Sequence, residues 1–166
     1  MKKALFVFLA LQVTQAFAAW PVELPWMNAH ADSPKKTFNT AELPHSIFVV
    51  EAYFNGCHWC NVNAPQVNQL AQEFEREDRV QFLDVGVDSQ DSEYQNWIRH
   101  NTPNHPVLKD PEGAKLLGDF NIEGYPTTLL LDCHGVEKYR HVGAWGSDGA
   151  DEVRAAIQRE LTVPGC

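Results

Sequence analysis

The stretch Ile47-Phe48-Val49-Val50-Glu51-Ala52-Tyr53-Phe54-Asn55-Gly56-Cys57-His58-Trp59-Cys60 decides the fold. Its first eight residues are apolar apart from Glu51, as in a central strand covered on both faces. Beyond Cys60, the apolar residues Val62, Val67, Leu70, Ala71 and Phe74 recur at helical spacing. The two cysteines therefore stand two residues apart at a strand-to-helix junction. A first thiol at that junction meets unpaired N–H groups and the positive end of the helix dipole, and both favour its thiolate. Such a thiolate is a nucleophile near neutral pH, and the second thiol is placed to resolve the mixed disulfide it forms. A buried structural disulfide is the alternative, but so short a loop restricts the unfolded chain least.

Outward from this stretch, strand and helix signals alternate. Val80 to Val87 is a strand, and Asp88-Ser89 offers an N-cap for a helix running to about His100. Asn101 to Pro106 is a loop, Val107-Leu108 a short strand, and Pro111 to Phe120 a helix that Asp110 would cap. Gly124-Tyr125-Pro126 turns into a strand over Thr127 to Leu131. Cys133-His134-Gly135 then makes a hairpin turn to Val136–Val142, and a last helix covers about Asp148 to Leu161. Pro65 falls inside the helix after the CxxC and is expected to kink it. The alternation implies parallel pairing through crossovers, closed by an antiparallel hairpin: an α/β fold with a mixed central sheet and helices on both faces.

The first 18 residues have the three parts of a signal peptide. Lys2 and Lys3 give the charged start, Ala4 to Val13 the apolar run, and Ala16-Phe17-Ala18 the cleavage site. The apolar run falls short of the roughly 20 residues a membrane span needs. Export to the periplasm is therefore expected, leaving an extended lead-in over residues 19–44 and a domain over 45–166. Removing the two lysines takes the net charge from −9 to −11, which argues against nucleic acid and anionic lipid as partners. In an oxidising compartment four cysteines count as two pairs, Cys57 with Cys60 and Cys133 with Cys166.

Four marks at matching spacings resemble the thioredoxin superfamily, in particular its exported TlpA/ResA-type branch. They are the CxxC opening a helix, Pro65 five residues after the second cysteine, Glu51 six residues before the first, and Pro126 opening a late strand. The strand–helix insertion from about Ser89 to Phe120 fits the same branch, and the likeness covers about residues 36–162. The chain departs from the pattern at Gly56, where tryptophan is usual, and at His58-Trp59, which replace the usual Gly or Pro between the cysteines. The resemblance implies a thioredoxin-like fold and a thiol–disulfide oxidoreductase without a cofactor.

It also implies roles. Cys57 is the exposed attacking thiolate and Cys60 the more buried resolving thiol. Glu51, buried beneath the pair with a raised pKa, is the base that deprotonates Cys60. Pro126 follows a cis peptide bond from Tyr125, lies opposite the CxxC, and lets the Tyr125 backbone pair with an extended substrate. His58 either stabilises the Cys57 thiolate or merely faces solvent. Trp59 either forms a hydrophobic rim for a partner polypeptide or packs on a neighbouring loop. The last hairpin turn and the end of the last helix share one pole of the fold, so Cys133 and Cys166 are expected to form a structural staple. A second redox pair or an intermolecular bond is the rival reading.

The leading expectation is a monomeric reductase of protein disulfides, fed by a membrane-bound redox partner. The aromatic and histidine between the cysteines also have the character of Dsb-type oxidases and isomerases. A copper-binding thioredoxin-fold chaperone is a third reading, since thiolates suit Cu(I). One CxxC is an incomplete ligand set, however, and the remaining histidines lack ligand-like spacing. No metal site is expected. A peroxidase is disfavoured because Pro-x-x-x-Thr-x-x-Cys does not occur in the chain.

Overall fold

The computed structural model describes residues 20–30 and 33–164; the expected signal segment with its Ala16-Phe17-Ala18 site, and Cys166, lie outside them. The apolar run around Glu51 forms β3 (Ile47–Tyr53), buried at every position. It is followed by α1 (His58–Glu73), β4 (Val80–Gly86), α2 (Asp91–Asn101) and β5 (Val107–Lys109). The chain then returns through β6 (Thr127–Leu131) and β7 (Glu137–Val142) to α3 (Gly149–Leu161). Two further strands, β1 (Glu23–Pro25) and β2 (Thr37–Asn39), precede them as an antiparallel pair.

The main sheet has the order β5-β4-β3-β6-β7. The helical crossovers α1 and α2 make β3, β4 and β5 parallel, while β6 runs antiparallel to both β3 and β7. Glu51 is thereby set at the middle of the sheet, opposite Asp84 of β4 on one side and Thr128 of β6 on the other.

Alternate residues of the strands feed two layers. Ile47, Val49, Phe82 and Leu130 pack under Val67 and Leu70 of α1 and Val153 and Ile157 of α3. Phe48, Val50, Leu83 and Leu129 face the other way and are covered by Leu24 and Phe38 of the first hairpin and by Leu116, Leu117 and Phe120. Trp20 adds an edge-on contact to Phe48, with ring centroids 5.1 Å apart.

The helical cover of this second layer differs from the α-helix expected over Pro111–Phe120. Two 3-10 turns, Pro111–Gly113 and Leu117–Phe120, stand there instead. The buried Asp110 carboxylate accepts from the backbone N–H groups of Lys115, Leu116 and Leu117, several residues beyond the donors an N-cap would take. Glu112 and Gly113 adopt positive φ, which breaks the helical path. A side chain on Gly118 would lie 2.7 Å from the Gly113 carbonyl, so its absence lets the two turns close on each other. The α2 start also differs from expectation: its N-cap is Gln90, whose N–H is accepted by Glu93, while Asp88 is used elsewhere. α1 remains one element through Pro65, which lies on its exposed side.

Gly86 ends β4 where two tyrosines converge. An added Cβ would come within 2.7 Å of Tyr94 and 2.8 Å of Tyr53. Gly86→Ala is therefore expected to destabilise the fold by about 1–3 kcal/mol through overpacking. Urea unfolding measures this as a lower midpoint at unchanged slope.

Candidate active site

Cys57 is the N-cap of α1, and its Sγ accepts a hydrogen bond of 3.0 Å from the Cys60 N–H. The turn that places it is held from two sides. Asp88, beyond β4, accepts from the Asn55 N–H at 2.9 Å, and Asn61 donates back to the Cys57 carbonyl at 2.7 Å. The Asp88 carboxyl is held above its ordinary range by burial. Cys57 and Cys60 are joined in a disulfide with their Cα atoms 5.2 Å apart. Cys57 is 4% exposed in this oxidised form, which corrects the expectation of an exposed sulfur. Its Sγ turns inward to the Cys60 N–H, and both cysteines pack with Tyr53, Trp97, Ala64 and Tyr125.

Glu51 is 2% exposed on the central strand. Its two oxygens are clamped by the elements that carry the CxxC and Pro126. Asn63, three residues past Cys60, donates to Oε1 at 2.7 Å. Thr128, two residues past Pro126, donates to Oε2 at 2.6 Å. Trp145 closes the set by donating its indole N–H to the Thr128 hydroxyl and its backbone N–H to Asn63. Burial pushes the Glu51 carboxyl up to about 7 against the pull of these bonds, and the charge of Asp84 adds to the rise. A carboxyl poised there can accept a proton near neutral pH.

The Tyr125–Pro126 peptide bond is cis. Pro126 is buried, and its carbonyl accepts from the Gly143 N–H at 2.8 Å. The Tyr125 ring meets Phe54 edge-on with centroids 5.5 Å apart. Trp59 is 60% exposed, and His58, also exposed, packs edge-on against it. Trp59 and Val62 form one wall of an open cleft of about 450 Å3, and Gly143, Ala144 and Gly146 form the other. The site thus combines a disulfide at a helix end, a buried carboxyl near neutrality and an apolar cleft beside them.

Cys133 is buried in the turn after β6; Cys166, its expected partner, lies outside the described residues. Sequence reasoning missed Asn63, Thr128 and Trp145. The first two carried a readable signal: one turn past Cys60 on the helix's inner side, and two residues past Pro126 on the strand paired with β3. It also missed a second buried polar group, Asp84 with His105 and Trp97. His105 falls in the expected 101–106 loop and lacks ligand-like spacing, yet it is 8% exposed.

The profile of the AhpC/TSA family matches residues 18–140. The thiol:disulfide interchange protein DsbE of Vibrio cholerae is 23% identical over 129 residues, covering 77% of this chain and 67% of that protein. DsbE of Pasteurella multocida is 30% identical over 108 residues, covering 63% of this chain and 55% of its own. The chain thus spans about half to two thirds of the length of these relatives. A thiol:disulfide interchange protein of the thioredoxin family from Chlorobium tepidum superposes with a TM-score of 0.66 at 19% identity, covering 84% of this chain and 92% of its own. Likeness at that identity shows the fold, and the fold is the one the four sequence marks implied.

Proposed function

The chain belongs to the AhpC/TSA family, and from that premise we propose that it is a thiol–disulfide oxidoreductase that reduces disulfides of exported proteins. The observation that carries this reading is the Cys57–Cys60 disulfide at the start of α1, with a buried, doubly hydrogen-bonded Glu51 on the adjoining strand. The Cys57 thiolate attacks one sulfur of a substrate disulfide, forming a mixed disulfide and releasing the other sulfur as a thiolate. Glu51 takes the proton of Cys60. The Cys60 thiolate then attacks Cys57 Sγ, the Cys57–Cys60 bond closes, and the second substrate sulfur leaves. Two electrons pass to the substrate, and a membrane-bound redox partner returns them to the pair.

The substrate is an extended polypeptide lying along Tyr125 and Pro126, with an apolar side chain in the cleft beside Trp59. The exposure of Trp59 and its open cleft support this, and His58 borders the same approach. The protein acts as a monomer in the periplasm after cleavage behind Ala18. Cys133 and Cys166 form a structural staple. In support, Val163 and Pro164 line the same surface cleft as Asp132 and His134, which flank Cys133.

The test is the reduction potential of the Cys57–Cys60 pair against glutathione, in a Cys133→Ala/Cys166→Ala variant so that one couple is read. A value at or below about −230 mV is expected for a reductase, and one above about −180 mV makes the protein an oxidant or isomerase. The absence of a two-electron transition overturns the redox reading.

A further inference from the structure

The second buried polar group lies one strand away from Glu51. Asp84 is its register partner on β4, and both side chains project to the α1 side of the sheet. The Asp84 Oδ2 accepts from the Trp97 indole N–H at 2.8 Å, and its Oδ1 lies 2.9 Å from His105 Nε2. The side chains of His105 and Asp84 are 5% and 4% exposed. The other ring nitrogen of His105, Nδ1, lies 2.9 Å from Asn104 Oδ1. The orientation of that amide is fixed independently, because Asn104 Nδ2 donates to the Asn68 carbonyl. Both ring nitrogens therefore face oxygen acceptors, and only the doubly protonated ring supplies two donors. Asn28 pins the loop by donating to the His105 carbonyl and accepting from the Val107 N–H.

We propose that Asp84 and His105 form a buried ion pair that acts as a positioning unit for Glu51, setting the pH at which Glu51 takes up a proton. The proposal rests on Glu51 being the base for Cys60. The direct partners of Glu51 are neutral: Asn63 from α1 and Thr128 from β6, with Trp145 behind them. Tyr53, next on its face of β3, is kept neutral because burial pushes its phenol up. Asp84 is thus the charge closest along the sheet, and His105 is the cation that offsets it. From α2 the pair meets the Trp97 indole. On its outer side His105 lines a groove whose walls carry Glu75, Glu77 and Asp78. Loss of the cation leaves Asp84 uncompensated and disfavours ionised Glu51, whereas loss of the Asp84 anion does the reverse.

The experiment follows the 13C shift of the Glu51 carboxyl against pH in the oxidised full chain, for wild type, Asp84→Asn and His105→Gln. Asp84→Asn is expected to lower the Glu51 midpoint and His105→Gln to raise it, each by about half a pH unit or more. The pH midpoint of Cys60-dependent release of a mixed disulfide should move in the same two directions. A merely structural role would lower rates at every pH and leave the midpoints together. An unmoved midpoint in either variant, or shifts of one sign in both, overturns the proposal. Should a variant fail to fold, His105 itself decides: in wild type at about pH 6 its ring nitrogens must report two N–H bonds, and a neutral ring overturns the ion pair. The carboxyl titration needs no turnover. Opposite shifts in a protein that reduces no disulfide would therefore uphold the coupling and sink the oxidoreductase reading, and active enzyme with unmoved midpoints would do the reverse.

Discussion

Glu51→Gln is expected to slow disulfide exchange by about 100-fold near neutral pH while making the protein more stable there. The two effects have one cause. A carboxyl wholly inside the sheet is costly to ionise, so burial holds its pKa near 7 against an ordinary 4.5. Below about pH 4.5 native and unfolded chains both carry the proton, and the burial exacts no ionisation cost. Between about 4.5 and 7 the unfolded chain ionises first, so stability falls as pH rises; above 7 the full cost of about 3 kcal/mol is present. Glutamine carries no such cost and keeps the acceptor for Asn63, but it cannot receive the Thr128 hydroxyl hydrogen, which offsets about 1 kcal/mol. The variant should therefore gain about 2 kcal/mol at about pH 8 and lose about 1 kcal/mol at about pH 4, as read by urea unfolding at both values. With the proposed base for Cys60 removed, its activity should lack the rise with pH through 7 that is expected of wild type. Equal stability gains at both pH values would show that Glu51 is not the buried ionising group this account requires.

Much of the fold was open to reading because its signals are local. Eight consecutive strand-forming residues before a CxxC, and helical spacing after it, need nothing from the rest of the chain to be interpreted. The failures share a different origin. The stretch 111–120 has helical composition, yet Asp110 captures the N–H groups of residues 115–117 and Glu112 turns left-handed. That outcome depends on Asp110 being buried against β4 and β5, which no local pattern encodes. The same holds at the site. Cys57, Cys60, Glu51 and Pro126 sit at fixed offsets along the chain and were all picked out. Trp145 reaches Thr128 and Asn63 across 17 and 82 residues, and His105 meets Asp84 across 21. Contacts of that span appear only when the sheet is assembled, so their residue types passed for ordinary core and loop.

Replacing Cys57 with serine should reduce disulfide exchange to the background rate, whereas Cys60→Ser should leave attack intact and strand the protein on its substrate. The asymmetry follows from where each sulfur sits. Cys57 is the helix N-cap, and the Cys60 N–H points at its Sγ at 3.0 Å, an arrangement that stabilises a thiolate there once the disulfide opens. Both cysteines are buried in the oxidised form, Cys57 at 4% and Cys60 at 1%. Cys57 caps the end of the helix, however, and Cys60 lies within its first turn, so opening of the disulfide is expected to present Cys57 to a polypeptide disulfide ahead of Cys60. Cys60 is placed to reach the sulfur next to it, which is what resolution of a mixed disulfide demands. Serine at position 60 keeps the backbone donor for Cys57 and removes only the resolving step. Incubation of reduced Cys60→Ser protein with insulin should accumulate a covalent adduct, visible as a mass shift equal to one insulin molecule and reversed by dithiothreitol. Cys57→Ser should form none. An adduct on Cys60 in the Cys57→Ser protein, at a rate comparable to wild type, would reverse the assignment of attacking and resolving sulfurs. The burial of Cys60 would then describe the oxidised protein alone, and the reduced state would have to expose the first turn of α1.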